Sequence, residues 1–228
     1  ASDVYKRQTH AEAALEARPA YLDALAVLGS LHLKRKEWER ADQRFNALRE
    51  TPESAANGGA GVGSAVLKHD DYALVGLANS AYGASVKPQH AHQRNAPEHW
   101  QREERHLLRA HTYFAKALQK DSSNMWAANG AGMVLAETGN VNDAHDVFSM
   151  VEEGLAKEEL PRLPGAWVNL GHVFLAENNH QRAVNLYERA LDQFYHGRSP
   201  EVLVYKARAE YDWDHLKDCK KTLCLLYT

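Results

Sequence analysis

Bulky and small apolar positions recur along residues 167–191 with a helical spacing. Trp167, Leu170, Gly171, Phe174 and Leu175 share one stripe, and Ala183, Leu186, Tyr187, Ala190 and Leu191 share a second. The polar run "ENNHQ" divides them, and its Asn178 and Asn179 tolerate the left-handed backbone that ends a helix. The pattern predicts a helical hairpin. Gly171 and Ala183 mark the crossing, because two helices approach closely only where one presents almost no side chain. Ala190 leaves room for a further unit. A glycine inside a helix costs about 1 kcal/mol relative to alanine, so closer packing has to offset it.

The same spacing returns along the chain. Residues 22–52 carry Leu25, Leu28 and Gly29, then Ala41 and Phe45, with Trp38 at the turn-side apolar position and Pro52 near the end. Residues 71–122 carry Leu74, Leu77 and Ala78, then Ala110, Phe114, Ala117 and Leu118 in a second helix. Residues 125–157 carry Ala131, Gly132 and Leu135, a turn at Thr138-Gly139-Asn140, then Ala144 and Phe148. After the hairpin of 164–197, a truncated unit at 200–228 has Ala207 in the glycine position and Cys219 in the alanine position. Upstream, "AEAALEARP" within 9–19 reads as the tail of a preceding second helix, ended by Pro19. The expected fold is all-α: one array of about five helical hairpins stacked as a right-handed solenoid over 1–228.

Three segments break the period. The Gly-rich "ESAANGGAGVGSA" (53–65) predicts a flexible insertion, and "SVKPQHAHQRNAPEHWQREER" (85–105) a disordered or partly helical excursion, a loop that interrupts the second unit and runs into a lengthened second helix. "EELPRLPG" (158–165) extends one turn between units. At the ends, "ASDVYKRQ" (1–8) departs from the alanine pattern and "CLLYT" (224–228) stops in mid-helix. Both look like translated adapter residues, so the chain is expected to be an internal piece of a longer protein.

Composition narrows the function. Of 228 residues, 44% are hydrophobic and 25% charged, the balance of a folded chain. A net charge of −3 and a pI near 6.5 argue against nucleic acid as the main partner, since phosphate binding needs a concentrated basic face. "QREERHLLR" mixes signs and "KRKEWER" is short, so both read as solvated helix surface. No apolar run suits a bilayer, and the first residues do not resemble a signal peptide. Cys219 and Cys224 lack redox spacing, which predicts free thiols and a reducing compartment.

No catalytic, cofactor-binding or metal residue is assigned. G-x-S-x-G, Walker and H-E-x-x-H motifs are missing, and "GAGVGS" lacks the Lys-Ser/Thr ending of a phosphate loop. His90, His92, His99, His106 and His111 invite a metal reading, but no cysteine accompanies them and two sit in a Pro-containing loop. Glu152-Glu153 and Glu158-Glu159 read as solvated helix ends. What remains is the groove that consecutive first helices would line. Its expected members are Leu33, Val75, Asn79, Tyr82, Asn129, Met133, Val168, His172, Leu175, Val204, Arg208 and Tyr211. Only Arg208 is basic, so an extended or helical segment with apolar anchors suits it better than a terminal carboxylate.

The motif W-x2-L-G-x2-F followed by A-x3-Y resembles the tetratricopeptide repeat. "AANGAGMVLAETGNVNDAHDVFSMV", "WVNLGHVFLAENNHQRAVNLYERAL" and "EVLVYKARAEY" resemble more specifically the tetratricopeptide scaffold subunits of the RNA-polymerase-II-associated factor complex. "AVLGSLHLKRKEWERADQRF" and "RHLLRAHTYFAKALQKDSSNMWAANG" resemble the same family in the same order, so the likeness covers roughly residues 10–225, with Ala-Ala-Asn-Gly at 127–130 its most specific stretch. That resemblance implies a nuclear, non-enzymatic scaffold that holds other subunits of the complex and RNA polymerase II, in elongation and co-transcriptional histone modification. The 53–65 and 85–105 insertions and Ala78 in a glycine position depart from the family pattern. The alternatives are a tetratricopeptide adaptor of another assembly and an enzyme whose catalytic part lies outside this chain.

Overall fold

The computed structural model describes residues 2–50, 64–85, 97–157 and 163–227, and every regular element among them is a helix. In chain order these are α1 (Ser2–Ala17), α2 (Leu22–Lys34), α3 (Trp38–Glu50), α4 (Ser64–Ser85), α5 (Pro97–Lys120) and α6 (Met125–Glu137). There follow α7 (Val141–Lys157), α8 (Pro164–Ala176), α9 (His180–Phe194), α10 (Pro200–Asp212) and α11 (Leu216–Cys224), closed by a 3-10 turn at Leu225–Tyr227. The chain divides into two compact units, Ala1–Gly130 and Ala131–Thr228.

Several boundaries differ from the period-based expectation. α1 begins at Ser2 and runs unbroken through the residues that depart from the alanine pattern. α4 begins at Ser64, so Ser64 and Ala65 are helical rather than loop, while 51–63 lies outside the described residues. The excursion expected at 85–105 is helical in its second half: Pro97 opens α5, because proline suits a first helical turn and the sequence beyond it keeps an apolar stripe. Residues 86–96 and 158–162 lie outside the description.

Four hairpin turns reuse one backbone geometry. Lys36, Gly139, Asn178 and Asp214 each take a positive φ, at 59°, 85°, 60° and 60°. The next residue's N–H then reaches back across the helix end: Glu37 to the His32 carbonyl (2.9 Å), Asn140 to Leu135 (2.9 Å), Asn179 to Phe174 (2.7 Å) and His215 to Glu210 (2.8 Å). These bonds satisfy carbonyls that the helix leaves unpaired. Side chains cap the helices that follow: Asn179 accepts from the Arg182 N–H and Ser199 from the Val202 N–H.

Aromatic rings on second helices set the packing. In the first unit Phe45 of α3 is fully buried over two glycines: a Cβ added at Gly29 of α2 or Gly76 of α4 would lie 2.7 or 2.5 Å from its ring. Phe114 of α5 covers Gly130 in the same manner, at 2.1 Å, and Trp38 covers Gly83 at 2.5 Å. In the second unit Phe148 of α7 sits over Gly132 at 2.7 Å, and Tyr187 of α9 over Gly171 at 2.6 Å. The ring, more than the crossing alanine, is what occupies the space each glycine leaves. Ala41, Ala78, Ala110, Ala144, Ala183 and Ala190 are fully buried beside these rings, and Ala207 and Cys219 are buried in the last repeat. Trp167 is half-buried, between Phe194 (5.2 Å) and the Arg189 guanidinium (4.4 Å).

Each unit has two helical layers. In the first, Ser30 of α2 hydrogen-bonds Tyr72 of α4, and Asp42 of α3 pairs with Arg109 of α5 at 2.5 Å. In the second, the His172 ring of α8 meets Tyr205 of α10 at 4.5 Å, and Glu152 of α7 pairs with Arg189 of α9 at 2.9 Å. First helices touch first helices and second touch second, as stacked hairpins require.

Candidate protein-binding face

Three exposed apolar side chains stand on α10, a first helix of the second unit. Tyr211 is 63% exposed and Val204 48%, both on α10, and Arg208 between them is exposed and pairs with Asp212 at 3.6 Å. Tyr205, absent from the sequence-derived groove, is 37% exposed beside them. The other candidates of this unit are structural. Val168 is buried in the core, and Leu175 and Met133 pack against it. All three therefore contribute to packing, and Leu175 and Met133 remain half-buried.

His172 is half-buried and tied to the core, its Nδ1 2.8 Å from the Tyr187 hydroxyl. Burial holds its pKa below the ordinary 6.5, and burial together with the nearby Tyr205 pushes the Tyr187 phenol up. A histidine kept neutral by the fold binds fewer protons than in the unfolded chain, so stability rises with pH in this window. Its contribution is full above pH 6.5 and is lost as pH falls through the depressed folded value. Unfolding titrations between pH 7 and 5 should show that decline, and His172→Gln should flatten it.

In the first unit Leu33 packs against the Leu25–Phe45 core, and Val75, Asn79, Tyr82 and Asn129 are half-buried. The exposed large apolar residues within its first helices α2, α4 and α6 are others: Val27, Tyr72 and Trp126. The missed residues share a register. The groove candidates stand three before, one after and four after each repeat's small residue, as Val204, Arg208 and Tyr211 do from Ala207. Val27 and Tyr205 stand two before Gly29 and Ala207, and Tyr72 and Trp126 six before Ala78 and Gly132. Positions two and six before the small residue are one helical turn apart, so a second row was legible in the spacing.

One charged group lies beneath this face. Lys206 stands directly before Ala207, where Leu170 stands before Gly171. Its Nζ lies 2.8 Å from Glu188 and 3.3 Å from Glu210, and Glu210 is buried, with Oε2 unpartnered. Burial alone would lower the Lys206 pKa, but the two carboxylates outweigh it and hold it above 10.5.

Of the five histidines considered for metal binding, the side chains of His90, His92 and His99 lie outside the described residues. His111 is exposed, and His106 is half-buried, its pKa lowered by burial and by Arg102, Arg109 and Arg105. Among the described residues no group of three potential ligands is placed to hold a metal ion, and no helix is long and apolar enough to cross a membrane. Cys219 is buried and Cys224 exposed, both as free thiols.

Glycines under aromatic rings, layered hairpins and the shared turn define a tetratricopeptide helical solenoid, and a family model described as "Tetratricopeptide repeat" matches residues 166–195. Similar solved structures include a thermophilic TPR protein of Thermus thermophilus, at TM-score 0.64 and 18% identity over 89% of this chain and 88% of that one. The Pseudomonas aeruginosa pilF structure is similar at TM-score 0.60 and 19% identity, covering 90% and 75%. These likenesses show the fold alone.

Within that class the chain is homologous to the CTR9 proteins. It is 34% identical to the Arabidopsis thaliana "Protein CTR9 homolog" over 88% of this chain. It is 28% identical to the "RNA polymerase-associated protein CTR9" of Caenorhabditis elegans over 86%, and 28% identical to that of Saccharomyces cerevisiae over 63%. The chain spans only 16%, 15% and 12% of those relatives' lengths.

Proposed function

We propose that the chain is a non-catalytic scaffold segment that holds another polypeptide against the first-helix layers of its repeats, within a nuclear assembly associated with RNA polymerase II. The observation that carries this reading is similarity along 86–88% of the chain to CTR9 proteins, one of them named RNA polymerase-associated. The chemistry of the face supports it. Val204, Tyr205 and Tyr211 offer apolar and aromatic anchors of the kind that dominate protein interfaces, whereas the recurring rings over glycines serve packing within the array. The partners are then other subunits of the polymerase-associated factor complex, reached through protein contacts with neither nucleic acid nor membrane. The process is elongation with co-transcriptional histone modification.

The test is recovery from nuclear extract with Val204→Glu/Tyr211→Glu. Both side chains are exposed, so helix content and melting should stay unchanged while recovery of polymerase-complex subunits falls at least about tenfold, the scale of losing one or two interface anchors. Leu175→Glu is a poor choice for this purpose, because Leu175 packs on the core and its loss confounds folding with binding. Undiminished recovery by the folded double variant would remove this face from the interaction.

A further inference from the structure

We propose that His172 donates its Nε2–H to a carboxylate side chain of the bound partner, at a point that the Arg208 guanidinium also reaches. This deepens the scaffold reading and rests on it, because it names the chemistry the partner brings to one spot on the first-helix layer of the second unit. The spot is a seam between two consecutive first helices, α8 and α10, with Tyr187 of α9 beneath it. Both walls and the floor belong to the chain.

The histidine ring is held by two contacts. Its Nδ1 lies 2.8 Å from the Tyr187 hydroxyl, and the Tyr205 ring meets it edge-on at 4.5 Å. Tyr187 is fully buried, and His172 Nδ1 is the one hydrogen-bond partner of its hydroxyl among the described residues. A buried hydroxyl proton without an acceptor is costly, so the phenol donates. Burial pushes that phenol's pKa up, and it keeps its proton throughout the neutral range. Nδ1 is then the acceptor, and the neutral ring carries its own proton on Nε2. Nε2 has no hydrogen-bond partner among the described residues, and it is not sealed from solvent as the unpartnered Nδ1 of His180 is. The equivalent residue of the 22–52 repeat differs. Ser30 follows Gly29 as His172 follows Gly171, but its hydroxyl is engaged within the chain, at the Ala26 carbonyl and at Tyr72.

The charge around this donor is one-sided. Arg208 is exposed one turn after Tyr205 on α10, and its guanidinium is the one cation that acts on the Tyr187 hydroxyl. No carboxylate acts on His172, whose pKa is lowered by burial alone. The other charged groups nearby are turned elsewhere. His145 of α7 faces Phe174 and Glu177, and Lys206 of α10 is held between Glu188 and Glu210. The Arg208–Asp212 pair, at 3.6 Å, is open to solvent and yields at little cost. Charge complementarity therefore selects an anion, and a lysine or arginine of the partner is repelled. A carboxylate at Nε2 also favours the protonated ring, so binding takes up a proton.

Imidazole NMR of the isotope-labelled chain tests the tautomer: His172 should carry its proton on Nε2, and a proton on Nδ1 would overturn the proposal. The binding probe is the end-blocked peptide Ala-Leu-Glu-Leu-Ala, compared with Ala-Leu-Gln-Leu-Ala. At neutral pH the glutamate peptide should bind about fivefold more tightly, and its affinity should rise about threefold between pH 7.5 and 6 as His172 titrates at higher pH in the complex. The glutamine peptide should show no such rise. Arg208→Gln should remove most of the preference for glutamate with melting unchanged, and His172→Phe should remove the pH dependence. Arg208 is exposed, so its variant keeps the test decisive if His172→Phe fails to fold. Equal binding of the two peptides, no response to either at millimolar concentration, or a His172 titration that the glutamate peptide leaves unmoved would each overturn the proposal. Any of these with intact recovery of polymerase-complex subunits leaves the scaffold reading standing; loss of that recovery in Val204→Glu/Tyr211→Glu is a separate result.

Discussion

Replacing Gly171 with leucine is expected to lower the unfolding free energy of the second unit by about 2–3 kcal/mol, the usual penalty of forcing extra atoms into a filled core. A Cβ at that position would already stand 2.6 Å from Tyr187 Cε1 and 3.0 Å from Cζ. The ring has nowhere to go. Tyr187 is fully buried, its hydroxyl is bound to His172, and Ala183 and Ala190 close around it. Alanine at position 171 should also destabilise, although helix propensity alone favours alanine by about 1 kcal/mol. Gly165, in the same helix, is the internal control: a Cβ there meets nothing within 4 Å. Gly165→Ala should be neutral or stabilising by up to about 0.5 kcal/mol. Urea unfolding followed by circular dichroism checks both, and opposite signs within one helix separate packing from propensity. Loss of stability at both positions would mean that the ring is not what limits the space.

The second large effect concerns Lys206. Changing it alone to methionine should cost about 3 kcal/mol, because Glu210 then keeps a buried charge with no cation beside it. Changing both, as Lys206→Met with Glu210→Leu, should recover most of that loss. Those are the residue classes that the neighbouring repeat carries at the same places, Leu170 one before Gly171 and Phe174 three after it. A double-mutant cycle in urea gives the coupling directly. The pH dependence has a definite sign. A lysine whose folded pKa is raised contributes its stability fully below the unfolded value of 10.5 and loses it as pH rises through the folded value. The wild-type chain should therefore lose stability in alkaline titration that the double variant keeps.

How much of this was legible in the sequence differs by level. The hairpins were, because helical spacing of bulky residues around a small one recurs and survives long insertions. So were the turns at Gly139 and Asn178, where the residue type announces a left-handed backbone. Lys36 and Asp214 take the same conformation without that signal: the hydrogen bonds from Glu37 to His32 and from His215 to Glu210 hold them there. Gly76 and Gly130 were missed for a related reason. Each faces a ring from the preceding repeat, so its purpose appears only once two repeats are stacked.

The exposure of the groove candidates was legible in part. Val204, Arg208 and Tyr211 are exposed, whereas Val168 at an equivalent position is buried and Leu175, Met133 and Leu33 are half-buried against cores. A repeat register assigns a direction to a side chain, and the neighbouring helix decides whether solvent or protein lies in that direction. The lengthened second helix was legible from the helical stripe of "HWQREERHLLRAHTYF", but its start at Pro97 was not, because the histidines and prolines around it blur the boundary.

Photocrosslinking in nuclear extract tests the account most directly. A benzophenone amino acid placed at Tyr211, on the first-helix layer of the second unit, is predicted to capture a subunit of the polymerase-associated assembly, and the same probe at Met150, exposed on the second-helix α7, is predicted to capture none. Capture from Met150 with silence at Tyr211 would contradict it.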